Sequence, residues 1–203
     1  MGCDTLHPKK INLTFLEGKM PENQETYPIE IGGVKRNLRL FEIKPGLTIA
    51  ILNILGDTEL VTASAKELAK KLAGKDYDVL VTAESKSIPL VHALSVETRK
   101  PYVVLRKDYK IYMGDAIQAQ TLSITTGKPQ TLILDEKDIA LIKGKKAAIV
   151  DDVISTGSTL EGMRTILEKA GGQIALEAAI FTEGDESDWQ EIIALGHLPV
   201  FTN

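Results

Sequence analysis

Cysteine is almost missing from this chain. Cys3 is the only one, so no disulfide forms within it and no multi-cysteine zinc site can be built. An excess of positive charge is missing too. Lys and Arg number 24 against 28 Asp and Glu, a net charge of −4 with a pI near 5.5. No wide basic surface is implied, which argues against nucleic acid as the main partner. No apolar run is long enough to span a bilayer. The opening "MGCDTLHPKK" lacks the apolar centre of a signal peptide, and Leu6 stands where the myristoylation pattern calls for Ser or Thr. No membrane partner is expected, and a soluble cytoplasmic protein is the default. Internal repeats and low-complexity tracts are also absent. What remains is 203 residues, 43% of them apolar, enough for one domain with a sizeable core.

Residues 10 to 43 hold short alternating pieces, "INLTFL", "YPIEI" and "GGVKRNLRLFEI", which read as a small β-rich flap or hairpin. After Pro45-Gly46 the segment "LTIAILNIL" is a buried strand or an apolar lining. Asp57 or Thr58 can cap a helix whose Val61, Ala65, Leu68 and Leu72 share one face, with Gly74 closing it. Then come the strand "DVLVTA", a helix from about Ile88 to Thr98 and the strand "YVVLR". Further on lie the strand "AAIVDD", a helix carrying Leu160, Met163 and Leu167, and the strand "IALEAAIF". Apolar strands alternating with helices predict an α/β fold, a parallel sheet covered on both faces. The division expected is an N-terminal flap over 1–45, a core over 46–182, and a C-terminal helix and tail over 183–203.

The densest chemistry is in "AAIVDDVISTGST". Asp151 and Asp152 end an apolar strand, where open α/β sheets bind ligands. Behind them Ser155, Thr156, Ser158 and Thr159 supply hydroxyls, and Gly157 allows close backbone approach at a helix start. A phosphate suits that loop. The acids suit something joined to the phosphate: hydroxyls that donate to them, or a divalent metal. A sugar 5-phosphate satisfies both ends. A Walker loop requires Gly-Lys-Ser/Thr, which "KGKKAA" lacks, and a dinucleotide fingerprint requires three spaced glycines that do not occur.

"AIVDDVISTGST" resembles the phosphoribosyl-pyrophosphate (PRPP) motif of type I phosphoribosyltransferases, and two more segments follow the family's order. "VTAESKSIP" is similar to its pyrophosphate loop, which implies diphosphate binding by Glu84, Ser85, Lys86 and Ser87 and a cis peptide near Glu84-Ser85. "YVVLRKDYK" is similar to the next strand, which implies that Arg106, Lys107 and Lys110 serve the same diphosphate. "TLSITTGKPQTLIL" looks like the flexible flap over the reacting centre, with Ser123, Thr125, Thr126 and Lys128 as its contacts. The resemblance covers residues 45 to 181 and is nearest to the adenine phosphoribosyltransferase-like group. It implies a parallel-sheet core with a small hood, and Mg²⁺ bound mainly through PRPP rather than by the protein directly. The implied partners are PRPP and a purine base, adenine being favoured, and the implied assembly is a homodimer.

By the same resemblance Asp151 and Asp152 stabilise an oxocarbenium-like ribose while Lys86 and Lys107 stabilise the leaving diphosphate. No protein nucleophile is called for, and His7, His92 and His197 receive no role. The base grip departs from the adenine pattern. Ile49 and Ala50 stand where an aromatic and an Arg are usual, the flap acid is missing, and Lys169 matches a base-proximal Lys of xanthine enzymes. Three readings stay open: an adenine or 6-oxopurine enzyme, a PRPP-sensing regulator, and a base-independent PRPP hydrolase or binder. Residues 1 to 45 show no helix-turn-helix pattern or basic stripe, which favours the enzyme over the regulator.

Overall fold

The computed structural model describes residues 25 to 122 and 129 to 202. Along the chain it forms β1 (Thr26–Ile31), β2 (Val34–Lys44), β3 (Leu47–Ile51), α1 (Thr58–Leu72), β4 (Val79–Ala83), α2 (Ile88–Thr98) and β5 (Tyr102–Leu105). There follow β6 (Ile117–Leu122), β7 (Pro129–Leu134), α3 (Ile139–Ile142), β8 (Lys146–Ile154), α4 (Ser158–Lys169), β9 (Gln173–Glu183), β10 (Ile193–Leu198) and β11 (Val200–Thr202). Five strands make a parallel sheet in the order β10-β9-β8-β4-β5.

Period-2 alternation sends these strands' side chains to two separate cores. Leu80, Ala148, Val150, Ala178 and Ile180 face one way, toward α1, α2 and the hood. Val79, Val81, Ala147, Ile149 and Ala179 face the other, toward α4 and the β6–β7 hairpin. Val61, Ala65, Leu68 and Leu72 of α1 are all buried, as their spacing predicts. Helices cover both faces, so the sequence-based α/β expectation holds. No helix among the described residues is long and apolar enough to cross a membrane.

The hood is an antiparallel sheet ordered β1-β2-β3-β11. "YPIEI" and "GGVKRNLRLFEI" are its first hairpin, turning at Gly32 and Gly33 with φ of 56° and 84°. "INLTFL" lies outside the described residues. The C-terminal tail joins this sheet: β11 pairs with β3, and the Phe201 ring meets Tyr27 edge-on with centroids 6.2 Å apart.

The tail also corrects an expectation. The sequence predicts a short helix with a final strand or tail after residue 182, outside the core. The region forms a short 3₁₀ turn at Glu186–Trp189, and then β10 extends the core sheet parallel to β9. Its apolar run "IIALGHL" has no decisive period, and pairing with a distant strand settles its form. β3 likewise belongs to the hood, not to the expected 46–182 core.

One residue clamps hood to core. Asp57 caps α1 by accepting from the Leu60 amide at 3.0 Å, and takes a forked pair of bonds from Arg36 of β2 at 2.7 and 2.9 Å. That guanidinium holds the Asp57 carboxyl below its ordinary range. Asp57→Ala removes the cap and the forked bond, and leaves Arg36 its 2.8 Å bond to Glu59. The cap alone is worth about 1 kcal/mol, a fall in Tm of about 2–4 °C at this size. An acid with a lowered folded pKa stabilises above its unfolded value, and the contribution is lost as pH falls through the folded one. The Tm gap between wild type and Asp57→Ala, followed by calorimetry, should therefore be full at neutral pH and close below about pH 4.

Candidate functional site

Strand order reverses between β4 and β8: β5 lies to one side, β9 and β10 to the other. Crevices at such points, beyond the strands' carboxyl ends, are where open α/β sheets bind ligands. The β4–β8 ladder ends at Val81 and Ile149, while β8 stays paired with β9 as far as Ile154 and Thr182. β8 thus runs on past its β4 neighbour. The overhanging stretch carries Asp151 and Asp152, close to the strand end as expected.

Both acids are buried, at 9% and 8% exposure. Ser87 reaches them from the turn after β4. Its Oγ lies 2.6 Å from Asp151 Oδ1 and 3.0 Å from Asp152 Oδ1, and it accepts from the Asp152 amide at 2.9 Å. Burial first, and then the Asp152 charge, push the Asp151 carboxyl up to about 7. Asp152 Oδ2 is buried with no hydrogen-bond partner among the described residues, and the Lys86 ammonium stands 3.9 Å away. The pair is wired on its Oδ1 side, which leaves the Oδ2 side for a ligand.

Ser87 departs from the role the resemblance gave it. The residue is 1% exposed and its hydroxyl is committed to the acids, so that hydroxyl organises the pair rather than facing a diphosphate. Glu84 and Ser85 are joined by a cis peptide, as the resemblance implied. The Glu84 carboxylate accepts from the Lys107 amide at 2.9 Å and from Arg106 Nε at 3.2 Å. Those contacts, the Lys107 amide foremost, hold it below the usual carboxylate range. Glu84 is therefore a tie between the β4 and β5 ends, and it occupies part of the Arg106 fork. The Lys86, Lys107 and Lys110 side chains stand exposed around that tie.

The phosphate loop follows β8 directly. Gly157 sits at φ +74°, a left-handed turn that L side chains rarely adopt, and α4 begins at Ser158. The amides of a helix's first turn have no intrahelical acceptor and the dipole there is positive, so the loop is an anion cradle. Thr156 Oγ1 and Ser158 Oγ lie 3.2 Å apart within it. A cavity at this loop is walled by Asp151, Val153 and the turn from Ser155 to Thr159. Arg164 grips Glu177 of β9 with two bonds of 2.6 and 2.7 Å, which fixes α4 and hence its start.

The base-side expectations fare differently. Ala50 is 2% exposed within the hood–α1 core, where it cannot meet a ligand without repacking. Ile49 is half-buried on β3. Lys169 ends α4, about 16 Å along the axis from the phosphate loop, and its ammonium donates to the Gln118 carbonyl at 2.9 Å. It ties α4 to the hairpin and is remote from the acids. Ser123, Thr125, Thr126 and Lys128 lie outside the described residues.

Two residues near the site escaped the sequence reading. Glu183 ends β9, 8% exposed, its carboxyl raised by burial while His197 and Lys86 pull it back down. Trp189 crosses behind the phosphate loop, with Nε1 donating to the Glu183 carbonyl at 2.9 Å. A single acid after an apolar strand, or one aromatic in an Asp-rich turn, gives no periodic signal.

Comparison with known proteins agrees with this geometry. The family described as the phosphoribosyl transferase domain matches residues 51–192. The purine biosynthesis transcriptional repressor PurR of Bacillus subtilis (strain 168) is 29% identical over 133 residues, 66% of this chain and 46% of the repressor. A hypoxanthine/guanine phosphoribosyltransferase of Methanotorris igneus is 35% identical over 128 residues, 63% of this chain and 66% of that enzyme. The chain thus spans about half the length of the repressor. Among solved structures, adenine phosphoribosyltransferase of Thermoanaerobacter pseudethanolicus superposes with a TM-score of 0.66 at 20% identity, covering 79% of this chain and 95% of that one. That likeness is one of fold. The chain belongs to the phosphoribosyl transferase domain family.

Proposed function

We propose that this protein transfers the phosphoribosyl group of PRPP to a purine base and releases pyrophosphate. The observation that carries the reading is one strand and its turn. An acid pair with a free buried oxygen and a helix-start anion cradle lie within nine residues, Asp151 to Thr159. A ribose 5-phosphate spans that interval, with its vicinal hydroxyls on the acids and its phosphate in the loop. Related chains named for hypoxanthine and guanine, and for purine biosynthesis, support a purine as the acceptor. Adenine stays the favoured base, on the resemblance alone.

In this reading the loop binds a remote phosphate and uses that binding to place C1 of the ribose. Asp151 and Asp152 face the positive charge that grows on the sugar as the C1–O bond to the diphosphate breaks. Lys86 and Lys107 face the negative charge that leaves. A magnesium ion fits these residues. Mg²⁺ keeps several waters and is held through substrate phosphates with one or two carboxylates nearby, and Asp152 Oδ2 has no hydrogen-bond partner among the described residues. The ion would supply charge neutralisation at the diphosphate. The protein is further proposed to act in the cytoplasm as a homodimer. Ile111 and Tyr112, 93% and 73% exposed beside the Lys107–Lys110 turn, form an apolar patch suited to a second copy.

The test is incubation with Mg²⁺, PRPP and each purine and pyrimidine base in turn, reading pyrophosphate release. A single purine, or a small set, should support turnover. A second reading, a PRPP-responsive regulator, is favoured by the match to the repressor across 66% of this chain. Tight PRPP binding with no base-dependent release would replace the catalytic reading by the regulatory one.

A further inference from the structure

We infer that Trp189 is a positioning residue of the phosphate loop, holding the Gly157 turn in the shape that a sugar phosphate requires. The inference rests on the proposed reading of that loop as the 5-phosphate site. Trp189 closes the 3₁₀ turn between β9 and β10 and is fixed at both ends. Its pyrrole side donates Nε1–H to the Glu183 carbonyl at 2.9 Å. Its benzo edge presses on the loop: a Cβ built on Gly157 would lie 3.0 Å from Cη2 and 3.6 Å from Cζ3. The rest of the ring packs beside the α4 core with Ile192. The ring therefore fills the space into which a side chain at residue 157 would project, and stands as a stop beside that turn.

Gly157 needs such a stop. Glycine visits both signs of φ with little preference, so nothing in the residue itself selects φ +74°. With that turn α4 begins at Ser158, and the amides of its first turn have no intrahelical acceptor. Trp189 does not line the loop's cavity, whose walls are Asp151, Val153, Ile154 and the turn itself. It acts from behind, through Gly157. Removing the ring releases the turn to other conformers, and a ligand must then select the competent one from a mixture. The cost falls on ligands that carry the 5-phosphate. A free pyrophosphate, bound at the β4 and β5 ends, should not register it.

Trp189 is the only tryptophan in the sequence, so emission excited selectively from tryptophan, away from the tyrosines, reports on this ring alone. Ribose 5-phosphate should change the wild-type emission, and magnesium pyrophosphate should change it much less. Trp189→Ala should weaken ribose 5-phosphate binding about tenfold by calorimetry and raise KM for PRPP similarly, with kcat altered less than about threefold. Trp189→Phe keeps a ring against Gly157 and should restore most of the affinity. Pyrophosphate affinity should be unchanged in both variants. Unaltered ribose 5-phosphate binding in Trp189→Ala overturns the inference. So does equal weakening of both ligands, which marks general disruption. If the alanine variant does not fold, Trp189→Leu takes its place under the same comparison. Wild-type protein that binds no ribose 5-phosphate removes the phosphate-site reading itself, and this inference with it.

Discussion

Gly157→Val should leave a folded protein that no longer binds PRPP or ribose 5-phosphate measurably. Two effects coincide at this residue. Its φ of +74° is a region where a β-branched side chain is a steric outlier, and a left-handed residue other than glycine costs roughly 1–2 kcal/mol. The new Cβ would also stand 3.0 Å from Trp189 Cη2, closer than ordinary contact, before the valine methyls are counted. The sequence alone suggests that valine would block the phosphate directly. The structure aims the Cβ at Trp189, away from the anion, so the loss comes by another route. The turn must leave the left-handed region, and the amides that follow it then point elsewhere. Local strain of this size lowers Tm by only a few degrees, at about 2–4 °C per kcal/mol. Binding should fall at least about a hundredfold, because an anion cradle depends on several amides converging at once. Calorimetric titration with ribose 5-phosphate, beside a melting curve, checks both halves. Near-wild-type affinity in a folded Gly157→Val protein would mean that the phosphate binds elsewhere.

The core could be read from the sequence because its signals are local and mutually consistent. "DVLVTA" and "AAIVDD" are apolar runs too short for helices and buried on both faces, and each became a central strand of the parallel sheet. Asp57 was identifiable as a cap, and Gly74, at φ +76°, as a helix stop. The acid pair and its loop were equally legible, since strand end, carboxylates, glycine and hydroxyls are contiguous. What could not be read depends on partners far away in sequence. Ser87 is 64 residues from Asp151, and only the β4–β8 crevice shows that its hydroxyl belongs to the acids. Arg106 is a diphosphate candidate by resemblance, yet Glu84, 22 residues earlier, accepts from its Nε. Lys169 looked base-proximal by position in the motif, yet helix geometry carries it to the far end of α4, against Gln118. The β10 edge strand is the same case at fold level: a mixed apolar run takes the form its neighbour imposes.

Asp151→Asn with Asp152→Asn should produce a protein that is more stable than the wild type and nearly inactive. Burial and the neighbouring Asp152 carboxylate both oppose the charge on Asp151. The folded Asp151 titrates near 7, well above an unfolded carboxyl near 3.8. The folded state therefore binds the proton more tightly, so stability falls as pH rises from about 4 through about 7. Above that range the penalty is complete in the wild type and absent in the Asn variant. Relief of about 1–3 kcal/mol, the scale for a poorly compensated buried polar group, should raise Tm at pH 8 by several degrees, with little gain near pH 4. Activity runs the other way. Uncharged amides cannot match a developing ribose cation, and loss of one such electrostatic contact costs about 10²–10³ in kcat. Affinity for PRPP should fall less, because the phosphate loop and the basic residues at the β4 and β5 ends are untouched. The wild-type kcat/KM should rise with pH through about 7 as Asp151 ionises. The single Asp151→Asn variant should lose that step. Normal turnover in the double variant would show that the acids hold the sugar without stabilising its transition state. An unchanged Tm at pH 8 would show that the buried charges are compensated by contacts beyond Ser87 and Lys86.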